Sequence, residues 1–499
     1  MIGRARLVGL VLLAATARVA AAQQPAPSRA PTPTRCKFRS DRLASDSVPG
    51  VGQVTFWGGN VEIDCPQRNI VLHGDSAESY PDHSQLVGHA SADEPRFHVT
   101  ADFLNYFPTD ERVVAAGNVN AKTTSGSTLV GPQAEYKRLV PRIRTKEEMN
   151  AIARPTITII QRDSTGKLAP PLTVISDHVH MVGDSLVYGG GHVIITRPAD
   201  NLKDTALTAT GDSAFIDQGK ESMRLMRNPK VVGKRDHPFT LTGTLIDMFS
   251  TNKKLTRVIS RANAKAVSDS MTLTSDTIDL RVRNDLLDHA YAWSAVNRAK
   301  VVSPSQNMIA DSLDVTMPAQ QMQLVRAFRK AFAQGRPDTT KYKVTPPDTT
   351  DWLRGDTIVA HFDTTARSPK DTSKTPRIQQ LVARGNASSL YHLAPSDSTE
   401  HRASLNYVTA RDITVAFNDS NKVATVTTVD SVSGIFIEAK PDTTARRRTN
   451  AATTSKTAGS TSSKTPAKTP ATPAKPPPKP PDNSPFDSGA LDRPPRDHL

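Results

Sequence analysis

Apolar and polar residues alternate in short runs through most of this chain, and many runs are opened by a small residue followed by Asp. The pattern reads Gly74-Asp75-Ser76-Ala77, Ala101-Asp102-Phe103-Leu104, Gly183-Asp184-Ser185-Leu186 and Gly211-Asp212-Ser213-Ala214. It returns at Ser275-Asp276-Thr277-Ile278, Ala310-Asp311-Ser312-Leu313 and Gly355-Asp356-Thr357-Ile358, and loosely at Arg411-Asp412-Ile413-Thr414. Successive aspartates lie 27, 82, 28, 64, 35, 45 and 56 residues apart. Copies without Asp, at Gly131-Pro132-Gln133-Ala134 and Gly243-Thr244-Leu245-Ile246, fill two of the longer steps. Period-2 alternation between such signals predicts β-strands, and recurrence on this scale predicts a repeat architecture.

A second half-motif falls between these copies. It reads Gly59-Asn60-Val61-Glu62-Ile63, Gly117-Asn118-Val119-Asn120-Ala121 and Gly191-His192-Val193-Ile194-Ile195, with weaker versions at Asn263-Ala264 and Gly385-Asn386. Gly and Asn accept positive φ, and an Asp carboxylate bonds backbone two residues on. Both half-motifs therefore read as turns at strand entries. The predicted fold is all-β: stacked antiparallel β-hairpin repeats spanning residues 35–317 and 353–440.

One segment departs from this alternation. Residues 320–334 lack Pro and Gly and place Met322, Val325, Phe328 and Phe332 at helical spacing, with Arg326, Arg329 and Lys330 between them. With Pro318 before it and Gly335 after it, the spacing predicts a short amphipathic helix. Its apolar stripe would pack on the sheet; a membrane-surface role is the alternative. The helix and a flexible insertion together occupy 318–352.

The ends of the chain read differently. Arg4 and Arg6, an apolar run from Leu7 to Ala17 and Ala20-Ala21-Ala22 predict a signal peptide over 1–22, cleaved before Gln23. The run is too short for a membrane anchor of ~20 residues. A Pro/Ala-rich linker covers 23–34, a flexible loop 364–376, and a disordered Pro/Lys/Thr-rich tail 441–499. Export allows Cys36 and Cys65 to form one disulfide that staples the first strands. Two unpaired thiols remain an alternative, and two thiols without neighbouring His do not complete a metal site.

The formal charge of +14 lies largely at the ends, three Arg in the leader and ten Lys or Arg against five Asp in the tail. That leaves a mildly basic body without a nucleic-acid footprint. Gly183-Asp184-Ser185-Leu186 spells the nucleophile block of a lipase family, but Gly-Asp-Ser recurs at Gly74 and Gly211 and Gly-Asp-Thr at Gly355. A tetrapeptide repeated at structural intervals is a structural device. There is no Gly-x-Ser-x-Gly elbow, His-Glu-x-x-His pair or Gly-Lys-Ser/Thr loop, so neither catalysis nor a cofactor or metal is expected.

What remains is the apolar face of the strands. Val61 and Ile63, Val99 and Phe103, Val119, and Val193 and Ile195 alternate with polar residues and are expected to share one lining. That lining is either a closed core or a long groove open to lipid.

Over residues 54–138 the order Phe56-Trp57-Gly58-Gly59-Asn60-Val61, Val99-Thr100-Ala101-Asp102-Phe103-Leu104-Asn105-Tyr106 and Ala115-Ala116-Gly117-Asn118-Val119 resembles the OstA-like (organic solvent tolerance-like) family. These are the β-jellyrolls of lipopolysaccharide transport. Weaker copies extend to about residue 440. The resemblance implies a twisted periplasmic stack, associated with outer-membrane assembly, that holds lipopolysaccharide or a related glycolipid by its acyl chains. It also implies that end strands pair with other OstA-like jellyrolls. The chain differs from the family's short bridge protein in length, in the 320–334 segment and in its tail, and it lacks the large barrel of the longest members. Two other classes compete: a structural envelope solenoid without lipid cargo, and a secreted β-helical enzyme acting on polysaccharide. Lipid retained on purification would separate the first reading from the second. Acidic residues clustered on one face would favour the enzyme, whereas here most aspartates sit at turns.

Overall fold

The computed structural model describes residues 36–199, 206–234, 238–268, 271–284, 286–303, 306–318, 321–337, 344, 350–363, 377–393, 402–418 and 423–438. Over them the chain is all-β. Thirty strands join one antiparallel hydrogen-bonded sheet, and among the described residues helical conformation is confined to a 3-10 turn, Pro66–Arg68, and to Pro318. The leader, the linker, the 364–376 loop and the tail lie outside the described residues.

The sheet is bent along its length into two arms. Strand Phe97–Phe107 shows how. Its first half pairs with residues 90–93 and 120–123, its second half with residues 84–87 and 112–116, and the register shifts between Thr100 and Phe103. Equivalent shifts occur at Gly58/Val61, His73/Ser76, Val87/Ala90, Ala116/Val119, Gly190/Val193, Arg261/Ala264, Phe328/Ala331 and Arg384/Ala387. They line up from strand to strand into a crease. The first arm runs from strand Lys37–Arg39 to strand Ser433–Ile437, and the second from Arg42–Val48 to Val423–Val429. The inward side chains of both arms form one core, and the opposite edges of the arms meet at a mouth.

The two sequence half-motifs build the crease. They are not strand entries, as expected, but mid-strand bulges on neighbouring strands that face each other. In the Gly-Asn strands two consecutive residues take positive φ, as Gly385 (+72°) and Asn386 (+47°) do. The Asp of the adjacent strand sits over them: Asn386 Nδ2 donates to Asp356 Oδ2 at 2.9 Å, and Asn118 Nδ2 to Asp102 Oδ2 at 2.9 Å. Asn60 uses Asp41 in the same way, and His89 and His192 place Nδ1 2.8 Å and 2.7 Å from Asp75 and Asp177. A Cβ on Gly385 would lie 2.5 Å from Asp356 Oδ2, so both φ and space require glycine there.

This pairing re-assigns one repeat copy and adds another. Asp184 belongs to the turn joining His178–Val182 to Leu186–Arg197, and the crease aspartate of that unit is Asp177. Asp41 is a first copy that the strand alternation did not mark. Where Asp is missing, Thr244 takes over, its backbone N–H donating to Arg261 O at 3.0 Å.

In the Asp strands the crease also changes side-chain parity. There inward positions jump by three residues, as from Ala101 to Leu104, both buried. In the Gly-Asn strands they jump by four, as from Ala115 to Val119. That four-residue jump explains the overturned helix expectation. Residues 324–335 form a strand, Leu324–Gly335, with Val325 and Ala327 inward on one arm and Ala331 and Ala333 inward on the other. Arg329 and Lys330 hold the positive φ (+63° and +48°) that Gly-Asn holds elsewhere. The bulge imitated helical spacing, and the large side chains Phe328 and Phe332 lie outside the core. Strands at Asp351–Phe362, Ile378–Leu393, Ser404–Phe417, Val423–Val429 and Ser433–Ile437 continue the repeat through the expected 353–440 region. Cys36 and Cys65 are joined in a disulfide across 29 residues, beside the pairing of Lys37 with Asp64.

Candidate functional site: the interior, the mouth and the end strands

Six of the seven stripe residues meet in one place. Val61, Ile63, Val99, Val119, Val193 and Ile195 are buried in the continuous core between the arms. Burying each such side chain fully stabilises the fold by roughly 1.5–3 kcal/mol, so the lining is also the main stabilising element. Phe103 is the exception and corrects the expectation. The three-residue jump at the crease turns it outward, 46% exposed, and gives its inward place to Leu104. Glu62 lies on the outer face, where its carboxylate pairs with Arg39 at 3.2 Å.

The core is open in two neighbouring cavities at the mouth, near the middle of the stack. One, about 340 Å³, is lined by Phe97, Ile157 and Ile159 of the first arm and Tyr136, Met149 and Met181 of the second. The other, about 100 Å³, lies between Leu172, Ile195 and Leu207 on one side and Ile216, Met223 and Met248 on the other. Gln218 borders both, and Gln161 Nε2 donates to its Oε1 across the mouth at 3.1 Å. No sequence signal marked these cavities, because their walls come from residues as far apart as Arg96 and Gln218 in one and Gln161 and Leu255 in the other.

Charged side chains tie the arms together along the mouth. Arg138 is the hub: its Nε lies 2.8 Å from Glu94 Oε1 and its Nη1 2.9 Å from Glu111 Oε2, while Arg68 Nε lies 2.7 Å from Glu111 Oε1. Arg96 reaches Glu147 at 3.2 Å and also contacts Asp184. Burial pushes the Glu94 carboxyl up to about 7, against the opposing pull of Arg138. The Arg138 contact is an ion pair without hydrogen-bond alignment, which leaves Glu94 Oε1 without a hydrogen bond. Tyr136 and Tyr106 beside this network are raised by the same burial.

The ends of the stack expose unpaired strand edges. Among the described residues Arg42–Val48 pairs only with Gly52–Cys65, and Ser433–Ile437 only with Ser404–Phe417. Leu43 is 62% exposed at one end and Ile435 61% at the other, and such edges are templates for strand addition. Among the described residues no helix is long and apolar enough to cross a membrane, a statement that does not bear on β-barrels. The chain matches no protein-family model and no curated protein.

Proposed function

We propose that this chain is a periplasmic lipid-binding or lipid-transfer protein of lipopolysaccharide transport and outer-membrane assembly, without catalytic chemistry of its own. Acyl chains of lipopolysaccharide or a related glycolipid would enter between the arms, and the end strands would pair with other jellyrolls. The observation that supports this most is the continuous apolar interior, which opens at the mouth into cavities walled by both arms. Each acyl CH₂ buried there contributes about 0.8 kcal/mol, so several chains could be held with no catalytic group. Exposed apolar edge strands at both ends support the partner reading, since strand addition extends a sheet through main-chain hydrogen bonds.

A second reading, a structural solenoid with no cargo, is favoured by the near-complete burial of Val61, Val119 and Val193 against their neighbours. One experiment separates the two. A photo-crosslinking side chain at Met149, in the larger cavity, captures glycolipid in cells if lipid enters the mouth, and one at outward-facing Phe103 does not. Equal labelling at both, or none at Met149 and none at Ile195, leaves the structural reading.

A further inference from the structure

The outer face of the first arm carries a regular array that neither the core nor the crease uses. Three Thr-x-Thr segments recur at a step of 32 residues: Thr208-Ala209-Thr210, Thr240-Leu241-Thr242 and Thr272-Leu273-Thr274. Their middle residues Ala209, Leu241 and Leu273 are buried, so the threonines point outward. Between these strands lie others with an outward lysine, Lys230, Lys265 and Lys300, at a step of 35 residues. Register places the two sets in one row. Thr210 faces Lys230, Lys230 faces Thr242, Thr242 faces Lys265, Lys265 faces Thr274, and Thr274 faces Lys300. The lysines therefore recur every second strand, about 10 Å apart. Thr242 and Thr274 each donate to the backbone carbonyl of the neighbouring lysine at 3.5 Å.

The row continues through Ile309 and Phe332 to Arg354, and an aromatic cluster adjoins it. The Trp352 ring lies 6.3 Å from Phe332 and 6.1 Å, edge-on, from Tyr407, and the Arg354 guanidinium sits over Phe332 and Trp352 at 5.2 and 4.9 Å.

Charge separates this face from the other arm's. Outward positions of these first-arm strands, between crease and mouth, hold no Asp or Glu among the described residues. The carboxylates at their crease, Asp212, Asp276 and Asp356, are engaged by Asn228, Ser294 and Asn386. Lys230, Lys265, Lys300 and Arg354 make no ion pair among the described residues, whereas on the second arm Arg224 and Arg257 are matched by Asp247 and Asp279, both at 2.7 Å.

We propose that this face binds a linear anionic polysaccharide lying across the strands, along the axis of the stack. The lysine interval is about the length of two extended pyranose units, so alternate carboxylates of a polyuronate would each meet an ammonium group. At the far end Trp352 and Tyr407 offer flat rings to the apolar C–H faces of sugars, with Arg354 for a further carboxylate. Aromatics gathered at one end, not interleaved with the lysines, suit a glycan better than stacked bases. This site stands on the outer surface and is independent of the lipid reading.

The test is binding of oligogalacturonate to the full chain by calorimetry at several salt concentrations, with neutral dextran and single-stranded DNA as comparison ligands. The variant Lys230→Gln/Lys265→Gln/Lys300→Gln weakens oligogalacturonate binding by about tenfold or more and flattens its salt dependence. Trp352→Ala/Tyr407→Ala weakens it with the salt dependence kept. Arg142→Gln/Lys146→Gln/Arg283→Gln, a matched charge loss on second-arm turns, leaves it unchanged. Thermal midpoints confirm that each variant is folded. The proposal is overturned if oligogalacturonate binds no better than dextran, if the second-arm variant loses as much affinity, or if DNA binds more tightly through the same lysines.

Discussion

The crease and the mouth do the same mechanical job on opposite sides of the stack, holding two arms in register, and they do it by unlike means. At the crease one device recurs on successive strands: two residues of left-handed backbone under a carboxylate from next door. Every partner is the neighbouring strand, so each copy is written locally. At the mouth no contact repeats. Arg138 joins residues from three separate turns and Arg96 joins two others, while a disulfide pins the end strand to its neighbour within the first arm. A bend that must be the same everywhere is built by repetition, whereas an edge that differs along its length is built from single long-range ties.

The largest effect is expected at the covalent tie. Cys36→Ser/Cys65→Ser opens a loop of 29 residues and lowers stability by about 3–4 kcal/mol in urea unfolding, mostly through the unfolded state. A change below 1 kcal/mol would show that the first strands are held by pairing alone. Next comes Glu94. Its folded value of about 7 exceeds the ordinary carboxyl value of 4.5, so its contribution is fully present below pH 4.5 and is lost as pH rises through 7. Across that window the wild type should lose about 2–3 kcal/mol relative to Glu94→Gln, read from thermal midpoints in a pH series. Parallel curves would remove burial as the dominant influence on this carboxyl.

At the crease, Gly385→Ala forces a Cβ against Asp356 at positive φ and should cost about 2 kcal/mol. Adding Asp356→Ala should recover part of that loss, because the clash goes with the carboxylate. Smallest is the carboxylate itself. Asp102→Ala and Asp356→Ala should each cost about 1 kcal/mol, and by similar amounts, since each removes one 2.9 Å hydrogen bond to an asparagine. Unequal losses would break the equivalence of the crease copies.

The local device was legible in the chain and the long-range ties were not. Asp102 and Gly117-Asn118 announced themselves by composition and recurrence, and so did the alternation that buries Val61 or Ile195. What misled was geometry at the bend. Phe103 follows Val99 at an even step, yet the three-residue jump carries it outside. Arg329-Lys330 occupy a bulge without the residues that usually mark one, so a strand read as a helix. Gly183-Asp184 matched the motif by spelling, but only Asp177 has the left-handed pair beside it. The mouth cavities depend on which distant turns meet, which alternation does not encode.

The three- and four-residue jumps give each strand something like a reading frame. Loss or gain of a single residue at the crease, for example deletion of Asn118, would turn every side chain of one half-strand from inside to outside. The same deletion in a turn at the mouth would shift nothing but the turn. Length variation in such a chain should therefore collect at mouth-side loops and avoid the bend, and two-residue changes should be the smallest that a crease can accept.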